Sequence, residues 1–314
     1  MAQQKFITPL KVGLLTVVTA YFLFTLHAMF TLSWIGEWNR LGGGSFGTMI
    51  FVEDISATIG LVFRFAASIL AFAAIIVYFT KKDLSKPTAY KVLRWVLVFE
   101  GIYWLGLIAT AGYSVQSFGQ ILSRNLPLNF LLNSLLLSVI PTVFEAVILP
   151  IVLFIFAFKL NPNKPLKKPI QWGLITGTIY IVVFWLINTS IWVGVIMQKG
   201  AVYLTAHPEH LISYVLTIFG LLALAIYAGY FTKKSAGAET LQELKLKTIG
   251  AITLVLGMYF LWNYLSWVIF AGDTWNNWYA WFLGHNMDLW MLSLPLVALP
   301  LLFYEPPKQT SSAQ

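Results

Sequence analysis

The sequence predicts an all-α, polytopic membrane protein of about eight transmembrane helices, arranged as two parallel four-helix repeats. Composition, eight apolar runs of spanning length and a one-sided distribution of positive charge predict it. Of 314 residues, 59% are hydrophobic and only 10% are charged, against ~25% charged in an ordinary soluble domain. A water-soluble core of this size has no room for that much apolar surface.

The apolar runs fall at roughly 12–36, 57–80, 91–113, 130–158, 171–197, 211–232, 248–271 and 287–304. Each approaches the ~20 residues that cross a bilayer as a helix. With the N-terminus placed in the cytoplasm, the basic residues sort by side. Lys5, Lys11, Lys81, Lys82, Lys86, Lys91, Arg94, Lys159, Lys164, Lys167, Lys168, Lys233, Lys234, Lys245, Lys247 and Lys308 fall inside. Only Arg40, Arg124 and Lys199 fall outside, and Arg64 lies within a helix. This positive-inside bias places both termini in the cytoplasm of a plasma-membrane protein. The net charge of +8 is thus a topology signal; it implies membrane lipid as the partner and no nucleic acid. The first run is too long for a signal peptide and has no small-residue cleavage site before Glu37, so it reads as a retained helix.

The halves share an order of short matches. Tyr78-Phe79-Thr80-Lys81-Lys82 ends helix 2 and Tyr230-Phe231-Thr232-Lys233-Lys234 ends helix 6. Gly13-Leu14-Leu15-Thr16 opens helix 1, as Gly173-Leu174-Ile175-Thr176 opens helix 5, and Trp34-Ile35-Gly36 has its counterpart in Trp192-Val193-Gly194. Helices 4 and 8 each carry two prolines, Pro141 and Pro150, then Pro295 and Pro300. An even number of helices per half gives the repeats one orientation. The units are 1–160 and 161–314. Apolar helices resemble one another in any case, and the prolines predict kinks and nothing further.

Cysteine is absent, which excludes disulfides, thiolate metal sites and thiol catalysis. No catalytic set is legible. Gly42-Gly43-Gly44-Ser45 lacks the Lys-Ser/Thr of a phosphate-binding loop. His207-Pro208-Glu209-His210 is not HExxH, and Pro208 argues against a helical zinc site there, although two histidines three apart can clamp a metal from a loop. Trp262, Trp267, Trp275, Trp278, Trp281 and Trp290 crowd the outer boundary of helices 7 and 8 as an aromatic belt.

Ionisable residues inside the membrane are costly and mark function by default. Arg64, Glu100 and Glu145 are the three. Counting rise per residue puts both glutamates near the midplane and Arg64 shallower, facing Glu53 or Asp54 and short of either glutamate. At least one glutamate is then expected to be protonated, since desolvation disfavours an unpaired carboxylate. A proton path or a buried ion pair in the first bundle is the functional reading, and a protonated glutamate hydrogen-bonded between helices the equal structural one.

His27, His207, His210 and His285 all fall on the outer side, and Met29, Met49, Met197, Met287 and Met291 accompany them. Histidine and thioether without cysteine suit copper, and paired histidines equally suit haem b. Ordinary interfacial histidine and packing methionine are the competing reading for each residue singly.

His27 has a sharper context. Leu26-His27-Ala28-Met29-Phe30-Thr31-Leu32-Ser33-Trp34-Ile35-Gly36 has the form H-x6-W-x-G, and Arg64-Phe65-Ala66-Ala67-Ser68 follows. This succession, over residues 26–112, resembles the CopD-type copper-resistance membrane domain, departing from it at Glu37, where a second glycine is expected. The resemblance implies copper handling at the outer face with His27 as ligand. An H-x6-W-x-G helix is similar also to that of the HemJ type of haem-binding membrane protein. Trp281-Phe282-Leu283-Gly284-His285 resembles the copper-ligand helix of haem–copper oxidases, a family that needs more helices and histidines than this chain has.

The leading expectation is a redox metal bound outside, as copper for transport or delivery, or as copper or haem for electron transfer. His27, His285, Met29, Met287, His207 and His210 are the candidate ligands, and an extracytoplasmic copper or electron-carrier protein the candidate partner. A membrane subunit of a respiratory complex, anchoring other subunits and contacting quinone, is the second expectation, and a transporter unrelated to metals the third.

Overall fold

Apolar runs leave the backbone to satisfy its own hydrogen bonds, which in lipid permits only helices or closed barrels. Here they are helices. The computed structural model describes residues 2–29, 48–80, 85–124, 126–161, 163, 167–200, 202–236, 245–270 and 289–304, and no strand occurs among them. We number the elements α1 (Ala2–Ala28), α2 (Thr48–Thr80), α3 (Lys86–Leu105), α4 (Ile108–Ser123), α5 (Leu128–Lys159), α6 (Lys167–Lys199), α7 (Val202–Ala206), α8 (Pro208–Lys234), α9 (Leu246–Phe270) and α10 (Leu294–Leu302). Seven stretches among the described residues are long and apolar enough to cross a membrane, with α3 and α4 forming one continuous stretch, Pro87–Ser123. The eighth expected span is represented by the shorter apolar helix Met291–Leu302. The chain is an all-α, multi-pass membrane protein.

Chain neighbours pack in order, α1 on α2, α2 on α3, α3 on α5, α5 on α6, α6 on α8, α8 on α9 and α9 on α10; α10 then returns to pack against α1. The helices therefore close into a ring. Closure depends on a glycine. A Cβ at Gly13 would overlap the backbone carbonyl of Leu296, so only a residue without a side chain lets the two backbones approach this closely, the device by which membrane helices commonly associate. Tyr103, Trp104, Leu149, Leu153, Val183 and Ile187 bind α3, α5 and α6 into one buried cluster, and Ile181, Leu221, Leu224, Ala225, Ala228 and Tyr259 bind α6, α8 and α9 into another. Leu23, Ile59, Trp95, Phe158 and Ile226 are exposed, as expected of side chains that face lipid.

The expected kinks take a specific form. In α5, π-helical turns at Leu135–Val139 and Phe144–Ile148 precede the α-helical segments that begin at Ile140 and Leu149, and Pro141 and Pro150 stand in the first turn of those segments. Proline has no N–H to give to the preceding turn, and widening that turn relieves its ring of the clash. Pro295 likewise stands in the first turn of α10, after the 3-10 turn Leu289–Ser293. In α8 the π-helical turn Leu216–Leu221 has no proline. There the Trp185 indole N–H donates to the Ile218 carbonyl at 3.1 Å, and the Thr217 and Tyr259 hydroxyls share a hydrogen bond at 2.8 Å.

Candidate functional site

Arg64 is the central residue of α2, and the contact it makes corrects the depth expected from sequence. Its Nε lies 3.3 Å from Glu100 Oε1, and its side chain is 3% exposed. The apolar run of the third helix begins at residue 91, but the helix begins at Lys86, so Glu100 lies five residues farther from its inner end than the run implies and comes level with Arg64. Measured from the loop that α2 and α3 share, the match is plain. Arg64 stands sixteen residues before Thr80 and Glu100 fourteen after Lys86, so both lie roughly 21–24 Å along their helices. Arg64 pairs with Glu100 across the α2–α3 interface.

Three aromatic side chains surround the pair. The Tyr21 hydroxyl of α1 donates to Glu100 Oε1. The guanidinium carbon of Arg64 stands 4.3 Å from the centre of the Tyr103 ring, 5.7 Å from that of Tyr21 and 5.8 Å from that of Trp104. Ring faces attract a cation most strongly where water is excluded, so this cage adds to what Glu100 provides.

Arg64, Glu100, Tyr21 and Trp104 form one wall of a central chamber of about 590 Å3. Each of the eight packed helices contributes lining residues, among them Val18, Leu153, Gly177, Phe231, Leu256 and Leu294. The far wall is nearly all apolar. Its polar groups are Tyr180 and the threonines 178, 232 and 253, of which Thr178 and Thr232 share a hydrogen bond at 2.7 Å and Thr232 donates to the Leu174 carbonyl at 3.3 Å. Thr232 belongs to the second Tyr-Phe-Thr-Lys-Lys run; in the first run, the Thr80 hydroxyl donates to carbonyls of its own helix, at Ile76 and Val77. Met291, expected with the outer thioethers, is buried and lines the chamber.

The other expected residues are not brought together among the described residues. His27 lies in the last turn of α1, half-buried, with Met29 just beyond. His285, Met287 and the Trp34 and Gly36 of the H-x6-W-x-G run lie outside the described residues, as do the side chains of Met49, Glu53 and Asp54. Glu145 lies in the second π-helical turn of α5, half-buried, and is not among the residues of the chamber.

His207 and His210 do meet, with a third group. Contrary to the expectation from Pro208, this proline starts a helix: it occupies the first turn of α8, where its fixed φ favours helix and its missing N–H is not needed. His207 is the N-cap. Glu209 places its Oε1 3.1 Å from His207 Nδ1 and 3.8 Å from His210 Nε2.

No family model, curated protein or solved structure matches the chain. The likeness to the copper-resistance domain rests on the short run of residues 26–112.

Proposed function

We propose that the protein binds, within the bilayer, a small amphiphile that is uncharged, with an apolar body and a hydrogen-bonding head, and that a quinone is the class that fits best. The observation that carries this reading is a mostly apolar chamber with the Arg64–Glu100–Tyr21 group in its lining. About 590 Å3 lies within the range of small-molecule sites, ~300–1,000 Å3, which are mostly apolar with a few convergent polar groups. Arg64 and Glu100 neutralise each other, so the wall offers donors and acceptors without net charge. A charged ligand would bring an uncompensated charge into a low-dielectric space, whereas the carbonyls of a neutral head need only donors. This is the expectation of a quinone-contacting membrane subunit, with the head at Arg64 and Tyr21 and the tail along α6 and α9.

The test is photolabelling of the purified chain by a short-chain azidoquinone. Gly177 faces the chamber, and a Cβ there meets no atom within 4 Å, so Gly177→Leu fills space without disturbing the helix. The expected result is labelling of chamber peptides that unlabelled quinone competes away and that Gly177→Leu abolishes while the variant melts like the parent. Labelling unchanged in Gly177→Leu, or confined to the lipid-facing side chains, would overturn the reading.

A further inference from the structure

The start of α8 gathers a second set of groups, at the opposite end of that helix from the chamber residues Phe231 and Thr232. Gly200, with φ of +79°, turns the chain after α6 in a conformation that disfavours side chains, and α7 brings it to His207. Histidines at the N-cap and three residues on lie on one side of a first helical turn. Their ring nitrogens and a Glu209 carboxylate oxygen all fall within 4.8 Å of one another. A wall of rings holds them in place: His210 meets Trp192 edge-on at 5.7 Å between centroids, and Tyr203 stands 4.8 Å from His207 and 5.4 Å from His210.

A glutamate in the first turn stabilises a helix N-terminus without any ligand, and a hydrogen bond with His207 serves the same end. Beside those roles, two features bear on a ligand. Glu209 is a carboxylate only 8% exposed, and the second imidazole is turned toward the same oxygen at 3.8 Å, too far for a hydrogen bond. Donors ~2.0–2.2 Å from one tetrahedral ion stand about 3.4 Å apart, so the carboxylate is already near that spacing from both rings and the site closes by a movement of about 1 Å. Glu209 is fixed by burial, and the His207 side chain, 46% exposed, is free to close the site and leaves its outer side to water.

We propose that His207, Glu209 and His210 form a binding site for a divalent first-row transition metal, with Zn2+ as the ion best served. Imidazole and carboxylate donors select borderline divalent ions over Cu(I), which prefers sulfur. Three protein ligands leave a fourth position for water, the arrangement of zinc sites that stay accessible. The site is separate from the chamber and does not rest on the quinone reading.

The experiment is titration of the tag-free full chain in detergent with Zn2+ alone, read as bound ions per chain, with X-ray absorption to identify the donor atoms. The expected result is one Zn2+ per chain with nitrogen and oxygen ligands. Affinity should fall by about tenfold or more in His207→Asn and further in His207→Asn/His210→Asn, with the melting of the metal-free chain unchanged for the exposed His207→Asn. Equal binding by the double variant, or no ion held by the parent chain, would overturn the proposal. Gly177→Leu is expected to bind Zn2+ normally and the double histidine variant to photolabel normally, so either reading can fail without the other.

Discussion

Arg64 and Glu100 approach one interface from opposite helix directions and meet at 3.3 Å, nearly equidistant from the loop that joins their helices. Each is costly alone in a bilayer interior. Each is the reason the other can be there.

Single replacements should therefore be far worse than the pair. Leaving one partner of a buried ion pair costs about 3–5 kcal/mol, so Arg64→Met and Glu100→Leu should each lower the unfolding midpoint sharply in detergent. Arg64→Met/Glu100→Leu removes both charges and should recover most of that loss. Thermal unfolding of the three variants checks this, and an additive double variant would contradict it.

Gly13 offers a different kind of test. Gly13→Leu forces a side chain into the Leu296 carbonyl, and overpacking of this sort costs ~1–3 kcal/mol. Gly112→Leu, on a helix face with no atom within 4 Å of the added Cβ, should be neutral or slightly stabilising. Comparing the two midpoints separates ring closure from the general effect of glycine in a helix.

Orientation is open to direct measurement. The distribution of Lys and Arg expects reporters fused after Lys168 or Lys247 to behave as cytoplasmic, and insertions at Gly43 or Asn276 to be labelled from outside. Reversed labelling would move the His207–Glu209–His210 cluster to the cytoplasmic face.

The helices were legible because apolar runs and their breaks dictate them directly. A buried ion pair was one reading of these charges, but which residues meet was not legible, because the polar segment 86–90 hides the start of α3 and with it the depth of Glu100. Counting from the shared loop at Lys81–Ser85 would have found it. Glu209 was missed for a local reason: Pro208 was weighed as a helix breaker, although at a first turn it is a helix starter. The chamber has no sequence signature, since it exists only where eight helices, contributed from residue 17 to residue 294, come together.

The contact of α1 with α10 also bears on biogenesis. Gly13 leaves the ribosome long before Leu296, so the first helix has no final neighbour on that side until the last is inserted, and loop closure over such a separation is slow. Arg64 also enters the membrane well before that event, at ~2.5–3.5 kcal/mol if alone, and Glu100 follows within one hairpin. Neutralisation is thus a local, early step, and completion of the chamber a late and global one. A chain stalled before α10 would hold both partners of the ion pair but lack the side of the chamber that Met291 and Leu294 line.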